Sequence, residues 1–245
     1  MNRTRINIGE QCLDLATPAV MGILNVTPDS FYAASRVAED EVVERAAAML
    51  ASGAAVLDIG GCSTRPQSQP VDMEEEWRRV EPALRAVREA FPAAVLSLDT
   101  FRVEVARRAL ESFGALIIND ISGGGEAMYD LVQRTGVPYV LTGRELPERM
   151  RSYPGLICDP GIGFLGSTEA DYRALREMKR GDYPLLVGLS RKSMIYKPLG
   201  ITPAEALAPT QAMHMYALMH GADILRVHDV KEAAETVKMF TMLEK

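Results

Sequence analysis

Eight short, nearly continuous apolar runs recur along this chain, and they constrain its fold more than any other feature. Each run stays apolar until its last few positions, as parallel strands covered on both faces do. In chain order the runs are AVMGILNV, AAVLDIGG, AVLSLDT, ALIINDIS, PYVLTG, LICDPGI, PLLVGLS and ADILRVHD. The segments between them, such as EDEVVERAAAMLASGA and EEEWRRVEPALRAVREAF, have the apolar spacing of amphipathic helices. The sequence therefore predicts an α/β protein in which strands and helices alternate.

The number of strands and the length of the chain favour one arrangement. Eight strands in strict alternation over 245 residues, with no linker rich in Pro, Gly or Ser, fit a single (β/α)8 TIM barrel spanning residues 1–245. An open, doubly wound sheet is the structural alternative. One interval is short, because the segment between Gly143 and Leu156 has little room for a helix and two loops. We therefore expect a barrel whose fifth helix is shortened or missing.

Charge and composition argue against several other classes of protein. The chain has 27 basic and 33 acidic residues, a net charge of −6, and no run of five basic residues, so nucleic-acid binding is not expected. No apolar stretch approaches the roughly 18 residues that span a bilayer, and the first residues lack the apolar core of a secretory signal. We expect a cytoplasmic protein without a membrane segment. Cys12, Cys62 and Cys158 are odd in number and lack a C-x-x-C pair, so neither disulfides nor a zinc site is predicted.

Polar residues occupy the carboxyl ends of the predicted strands. In a (β/α)8 barrel those ends form the active-site face. The strand-end residues are Asn25, Asp58, Asp99, Asn119, Asp159, Lys192, Arg226 and His228. Any one of them alone could cap a turn or face solvent. Together they indicate a polar ligand, because buried polar groups without partners are costly.

The residue types divide most of this set by chemistry. Carboxylates and amides that suit the donor and acceptor edge of a planar heterocycle are Asp99, Asn119 and Asp159. Cationic or donor groups that suit an anion are Lys192, Arg226 and His228. Asn25 offers an amide oxygen that Mg²⁺ could share with phosphate oxygens. We therefore interpret the face as a site for a heterocycle that carries a phosphorylated arm.

Several motifs, in their order along the chain, resemble those of a known enzyme family. MGILNVTPDSF, DIGGCSTRP, SLDT, IINDISGG, DPGIGF, GLSRKS and RVHDV are similar to the motifs of dihydropteroate synthase, the folate-pathway enzyme that sulfonamides block. They extend over nearly the whole chain, and the combination of NVTPDSF with STRP and SRKS is highly specific. The resemblance implies condensation of 6-hydroxymethyl-7,8-dihydropterin pyrophosphate with p-aminobenzoate, which gives 7,8-dihydropteroate and pyrophosphate.

The resemblance also implies roles for individual residues. Those that match pterin ligands are Asp99, Asn119, Asp159 and Lys192. Those that match the pyrophosphate contacts are Asn25, Arg226 and His228, with Mg²⁺ beside Asn25. The implied catalytic set is Asn25, Lys192, Arg226 and His228. Loop residues expected around p-aminobenzoate are Phe31, Thr64, Arg65, Pro66 and Ser193. A homodimer is the usual assembly in the family.

The chain departs from the family pattern in its loops and near the fifth strand. YAASR follows NVTPDSF where the family usually has Asp-Gly-Gly, Cys62 replaces a Glu before STRP, and the fifth strand reads YVLTGRE instead of a Met-His-Met-like run. The residues that match pterin and anion ligands are unchanged.

Two alternative functions therefore remain. One is a pterin-binding paralogue without synthase activity, which could act as a sensor or stabilise a partner. The other is a methyltransferase domain of the kind that uses methyltetrahydrofolate. STRP, SRKS and the pair Arg226 and His228 are not expected in such a methyltransferase.

Overall fold

A two-stranded hairpin precedes the barrel and closes its amino-terminal end. The computed structural model of the chain describes residues 4–26, 36–62, 71–179 and 181–244. Strands β1 (Arg5–Ile8) and β2 (Gln11–Asp14) pair in antiparallel fashion. Their side chains Ile6, Ile8 and Leu13 are buried in one cluster with residues from the barrel strands, among them Met21 and Val56. The hairpin lies outside the eight predicted strands, because its short, alternating pattern differs from their continuous apolar runs.

Eight parallel strands form the barrel. They are β3 (Ala19–Asn25), β4 (Val56–Gly60), β5 (Val95–Asp99), β6 (Ile117–Asp120), β7 (Tyr139–Thr142), β8 (Leu156–Asp159), β9 (Leu186–Val187) and β10 (Ile224–Val227). Their order is β8-β7-β6-β5-β4-β3-β10-β9. A parallel bridge between Cys158 and Leu185 connects the two ends of this order. Each strand lies within a predicted apolar run, so the prediction of a barrel is confirmed.

Helices surround the strands. They are α1 (Arg36–Ala51), α2 (Met73–Ala90), α3 (Val103–Phe113), α4 (Glu126–Thr135), α5 (Thr168–Glu177), α6 (Ser193–Leu199), α7 (Leu207–Met219) and α8 (Val230–Leu243). Short 3₁₀ turns occur at Glu148–Met150 and Ala204–Ala206. Within the described ranges, we find no helix with the length and apolar character needed to cross a bilayer.

The interval between β7 and β8 holds a 3₁₀ turn, Glu148–Met150, where the other intervals hold α-helices. Met150 and Tyr153 are buried in the outer core, and the Tyr153 hydroxyl donates to the carbonyl of Val132 at 2.8 Å. Arg149 forms an ion pair with Asp130 of α4 at 2.6 Å. Side chains of a short segment thus cover this part of the barrel. The prediction of a shortened or missing fifth helix is confirmed.

The period of two along each strand separates two layers of the core. On β4, Leu57 and Ile59 pack in the outer core beneath the helices, whereas Val56 belongs to the inner cluster. Asp58 has the same parity as Val56 and therefore faces the barrel interior, where it is fully buried. The same rule places Asp99 of β5 inside. Polar residues at alternate positions therefore meet at the carboxyl end of the barrel.

Candidate active site

Four polar side chains from four strands are joined by hydrogen bonds inside the barrel. Arg226 of β10 donates from Nε to Asp58 Oδ2 at 2.6 Å and from Nη2 to Asp99 Oδ2 at 2.5 Å. Asn119 of β6 donates from Nδ2 to Asp58 Oδ2 at 3.1 Å. We call Asp58, Asp99, Asn119 and Arg226 the floor network. It brings together three of the predicted ligand residues and one strand-end carboxylate to which the sequence assigned no role.

Strand register explains why these groups meet. Asp99 pairs in register with Asn119 on one side and with Gly60 on the other, and Gly60 pairs with Asn25. A Cβ atom at Gly60 would lie 3.2 Å from the Asp99 Cβ and 3.6 Å from the Asn25 Oδ1. The missing side chain therefore leaves open the space that the Asn25 amide and the Asp99 carboxylate both border.

The floor network has two carboxylates and one guanidinium. Burial raises the pKa of Asp99 to about 7; Arg226 opposes this rise, while Asp58 and Glu76 add to it. Burial alone would lower the pKa of Arg226, but Asp58 and Asp99 hold it above its ordinary value. The guanidinium therefore stays charged, and Asp99 is the carboxylate with a marked tendency to hold a proton. Such a group responds strongly to a ligand that donates or accepts a hydrogen bond.

Three further predicted residues, Asp159, Lys192 and His228, lie at the end of a strand or in the loop that follows it. We call them the rim residues. Asp159 ends β8, and its Oδ1 accepts from the backbone N–H of Gly161 at 2.8 Å. Its Oδ2 lies 3.5 Å from the Thr142 hydroxyl, a long hydrogen bond. Burial raises the pKa of Asp159, against the opposing effect of Lys192.

Lys192 lies between β9 and α6. Its ammonium group donates to the carbonyl of Ile162 and lies 4.3 Å from the ring centroid of Phe164, a cation–π distance. Burial lowers the pKa of Lys192 to about 8, although the charge of Asp159 works in the other direction. Lys192 therefore stays cationic at neutral pH, and it is poorly solvated, which favours contact with an anion.

His228 follows β10 directly. Its backbone N–H donates to the Ser190 hydroxyl at 3.2 Å, and its Nδ1 lies 3.2 Å from the same oxygen. Ser190 thus ties the last strand to the loop after β9, and it holds the imidazole through Nδ1. Ser193, another predicted residue, is the first residue of α6 and follows Lys192 in that loop.

The predicted site residues have two outcomes in the structure. Those in or beside the barrel mouth are Asn25, Asp99, Asn119, Asp159, Lys192, Ser193, Arg226 and His228. Those outside the described residues are Phe31, Thr64, Arg65 and Pro66. Ser190 and Thr142 were not predicted, and Asp58 was given no role. The position of Asp58 at a strand end already indicated a role in the site. Ser190 and Thr142, in contrast, carry no sequence pattern that distinguishes them from ordinary loop and strand residues.

Comparisons with known proteins agree with this geometry. The model of the family described as "Pterin binding enzyme" matches residues 21–156 and 154–228. The dihydropteroate synthase of Escherichia coli K12 is 37% identical over 261 aligned positions, which cover 93% of this chain and 92% of that protein.

Two solved structures from Xanthomonas albilineans are also similar. Dihydropteroate synthase with 4-aminobenzoic acid superposes with a TM-score of 0.88 at 34% identity and covers 98% of each chain. The same enzyme with 7,8-dihydropteroate has a TM-score of 0.88 at 33% identity, with the same coverage. The family model and these relatives extend over most of the chain, and the barrel mouth carries the polar residues that the motifs predict. The chain belongs to the pterin-binding enzymes and, among them, to the dihydropteroate synthases.

Proposed function

We propose that the barrel mouth of this dihydropteroate synthase binds the pterin ring through Asp99, Asn119, Asp159 and Lys192. The observation that carries the proposal is the convergence of the floor network, in which groups from four separate strands are hydrogen-bonded to one another in a largely water-excluded interior. A dihydropterin ring has N–H donors and ring acceptors along one edge. Buried carboxylates, an amide and an ammonium group match that edge in type.

The pyrophosphate arm is assigned to Arg226, Lys192 and His228. Nε and Nη2 of Arg226 are engaged by Asp58 and Asp99, which leaves Nη1 without a hydrogen bond to any described residue. The Ser190 hydroxyl lies 3.2 Å from Nδ1 of His228 and orients its imidazole ring. Cationic and N–H donors fixed in a region of low polarity favour a polyanion.

The family implies Mg²⁺, and the donor set near Asn25 fits such an ion. Mg²⁺ in proteins is bound through one or two oxygen ligands together with substrate phosphates and water. The Asn25 Oδ1 and the Asp99 Oδ2 both border the space at Gly60. No group of three His, Cys, Asp or Glu side chains suited to a metal occurs in the described part of the chain. Since the two oxygens border one space, we propose that Asn25, together with Asp99, would hold the ion jointly with the pyrophosphate, where it would offset negative charge.

The proposed reaction needs positioning and charge stabilisation more than a strong base. The bond between the pterin methylene carbon and oxygen breaks, and its electron pair leaves with pyrophosphate. The methylene cation, stabilised by the dihydropterin ring, is captured by the amine nitrogen of p-aminobenzoate, which then loses a proton. Arg226, Lys192 and His228 stabilise charge on the leaving group because they are fixed before the reaction begins.

The second substrate is assigned to the loops around the mouth. Ser193, at the start of α6 and next to Lys192, is proposed to contact p-aminobenzoate. The other proposed contacts are Phe31, Thr64, Arg65 and Pro66, which lie outside the described residues. The solved relative with 4-aminobenzoic acid supports the identity of this substrate. We expect sulfonamides, as analogues of p-aminobenzoate, to inhibit competitively with it.

Product formation tests the proposal. The purified protein is incubated with 6-hydroxymethyl-7,8-dihydropterin pyrophosphate and Mg²⁺, with and without p-aminobenzoate; pyrophosphate release is followed and the product is identified by mass. We expect dihydropteroate only when both substrates are present, and a rate that falls sharply in the Asn119→Ala variant. Pterin binding without product would instead favour the non-catalytic paralogue. None of the relatives described above supports the methyltransferase alternative.

The outer face of the last three helices supports a homodimer. Seven large apolar side chains are exposed in the described part of the chain, and five of them lie on α6, α7 and α8. These five are Leu199, Met219, Met239, Met242 and Leu243. We propose that a second copy covers this face. Light scattering at micromolar concentration should show that the parent protein is a dimer and that a variant with both Met219→Lys and Met242→Lys is a monomer. A monomeric parent protein would contradict the proposal.

Cytoplasmic location stays a prediction from the sequence.

A further inference from the structure

Arg191, the residue before Lys192, has an unusual backbone conformation. Its φ is 54°, and it is the one residue other than glycine with a positive φ in the ranges that the structure describes. The Cβ atom of a residue other than glycine disfavours this left-handed region, which is held in place only where surrounding contacts require it. The backbone N–H of Arg191 donates to the hydroxyl of Thr210, a buried residue of α7, at 3.2 Å.

The guanidinium of Arg191 supplies those surrounding contacts. Nε donates to Asp229 Oδ2 at 2.8 Å and Nη2 to Asp229 Oδ1 at 2.9 Å, a two-point ion pair. Nη1 donates to the carbonyls of Pro203 and Ala204 at 2.8 and 2.7 Å. One side chain therefore joins three segments: the loop after β9, the turn before α7, and the residue before α8.

Two of the three segments joined by Arg191 carry proposed ligands of the anion. Lys192 follows Arg191, and His228 precedes Asp229. The contact between Ser190 and His228 is a second connection between the same two segments. Because Arg191 and Asp229 are the sequence neighbours of Lys192 and His228, we expect a shift of this ion pair to move the backbone of both.

We propose that Arg191 and Asp229 are a positioning pair that sets Lys192 and His228 relative to each other for pyrophosphate departure. The inference rests on the proposed roles of Lys192 and His228. The fork shape of the arginine matters, because a lysine can keep the charge but cannot make the two-point pair and the two carbonyl contacts at once. Residues that orient the ligand-binding groups commonly affect activity, although they do not contact the ligand themselves.

The test is a double-mutant cycle on steady-state kinetics with Arg191→Met, Asp229→Asn and the double variant. Each single variant is expected to lower kcat/KM for the pterin pyrophosphate by about 10- to 100-fold, and the double variant to be no worse than the more damaged single variant. Arg191→Gly, which relieves the backbone but lacks the guanidinium, should be as impaired as Arg191→Met. Arg107→Met is the matched control: Arg107 lies on the outside of α3 and forms ion pairs with Glu104 and Glu111. This variant should keep the parental kcat/KM.

Several results would overturn the positioning role. These are a kcat/KM within twofold of the parent in the folded Arg191→Met protein, additive losses in the double variant, or recovery of activity in Arg191→Gly. Binding of inorganic pyrophosphate, measured by calorimetry, gives a readout that a purely structural role would leave unchanged in the folded fraction; we expect it to weaken in Arg191→Met. Lys192→Ala and His228→Ala are assayed in parallel. If those two variants keep full activity, the proposed anion site fails; if they lose activity and Arg191→Met does not, the positioning pair alone is wrong.

Discussion

The floor network and the rim residues are built differently, although both lie at the same end of the barrel. In the floor network each charged group already has a protein partner: Arg226 contacts Asp58 and Asp99, and Asn119 donates to Asp58. The rim residues Lys192 and His228 are held through backbone and hydroxyl groups instead, with a carbonyl on Lys192 and the Ser190 hydroxyl on His228. Lys192 brings a poorly solvated positive charge to the barrel mouth, and both residues are proposed to contact the anion.

This difference indicates what each region contributes. Side chains on adjacent barrel strands cannot move independently, and their charges are compensated, so the floor network is rigid and is expected to recognise the shape and hydrogen-bonding edge of a ring. Loops after strands can adjust, and the ammonium group of Lys192 contacts a backbone carbonyl and an aromatic ring. Lys192 and His228 are therefore proposed to recognise the charge of the anion, together with Nη1 of Arg226, whereas the rim carboxylate Asp159 is proposed to bind the ring. Four changes test this division, in order of decreasing expected effect.

Removal of Asp58, which accepts hydrogen bonds from both Arg226 and Asn119 in the floor network, should have the largest effect. Asp58→Ala leaves Arg226 with one carboxylate in a buried site, and breaking a buried ion pair in this way typically costs about 3–5 kcal/mol. Chemical denaturation should show a loss of that size, together with loss of pterin binding. As a control, Glu104→Ala removes an exposed carboxylate that pairs with Arg107, and its midpoint should hardly change. Equal effects of the two substitutions would show that the floor network is not a special unit.

Substitution of the rim lysine should affect binding more than folding. Lys192→Met removes a poorly solvated ammonium group but keeps most of the volume, so we expect the affinity for pterin pyrophosphate to fall by about 10- to 100-fold, that is by roughly 1.4–2.8 kcal/mol. The melting temperature should stay constant or rise, because a half-buried, poorly solvated charge is removed. Calorimetry and thermal unfolding measure the two quantities. Unchanged affinity with a large drop in melting temperature would contradict the assigned role.

The pH dependence of the same residue gives a sharper test. Because burial lowers the pKa of Lys192 from 10.5 to about 8, the folded protein loses this proton at lower pH than the unfolded chain does. Affinity for pterin pyrophosphate should therefore fall as pH rises through about 8. The contribution of Lys192 to stability should rise between about pH 8 and 10.5, since there the unfolded state binds more protons. Both trends are measured as differences from Lys192→Met; the absence of both would contradict the lowered pKa.

The smallest effect is expected at Thr142, beside Asp159. Its hydroxyl lies 3.5 Å from Asp159 Oδ2, at the limit of hydrogen bonding. Thr142→Val keeps the shape and removes this contact, which is weak because it is long, so kcat/KM should change by less than about fivefold. A loss above tenfold would mean that strand β7 contributes to ring recognition as strongly as the floor network does.

The sequence predicted the barrel well because its signal is local. Each barrel strand is marked by an apolar run, and the short interval before Leu156 was visible in the residue spacing. The β1–β2 hairpin was missed because Ile6, Ile8 and Leu13 alternate with exposed residues over strands of four residues each. A pattern that short does not separate a strand from a polar leader segment.

The composition of the site was predictable, whereas its connections were not. Asp99, Asn119, Lys192 and Arg226 stand out at strand ends, and the motifs add to that signal. The pairing of Arg226 with Asp58 depends on the register of several strands and on barrel closure, which no local pattern encodes. The two-point contact of Arg191 with Asp229 spans 38 positions of sequence and depends on a left-handed backbone at a residue type that rarely adopts it.

The most direct test of this division uses two ligands that differ only in the anion. Calorimetry compares 6-hydroxymethyl-7,8-dihydropterin with its pyrophosphate on the parent protein, Asn119→Ala and His228→Ala. The division predicts that Asn119→Ala weakens both ligands by a similar factor, and that His228→Ala weakens the pyrophosphate alone. If His228→Ala weakened both ligands equally, or Asn119→Ala left the unphosphorylated pterin unaffected, ring and anion would not be recognised by separate regions, and the account would be wrong.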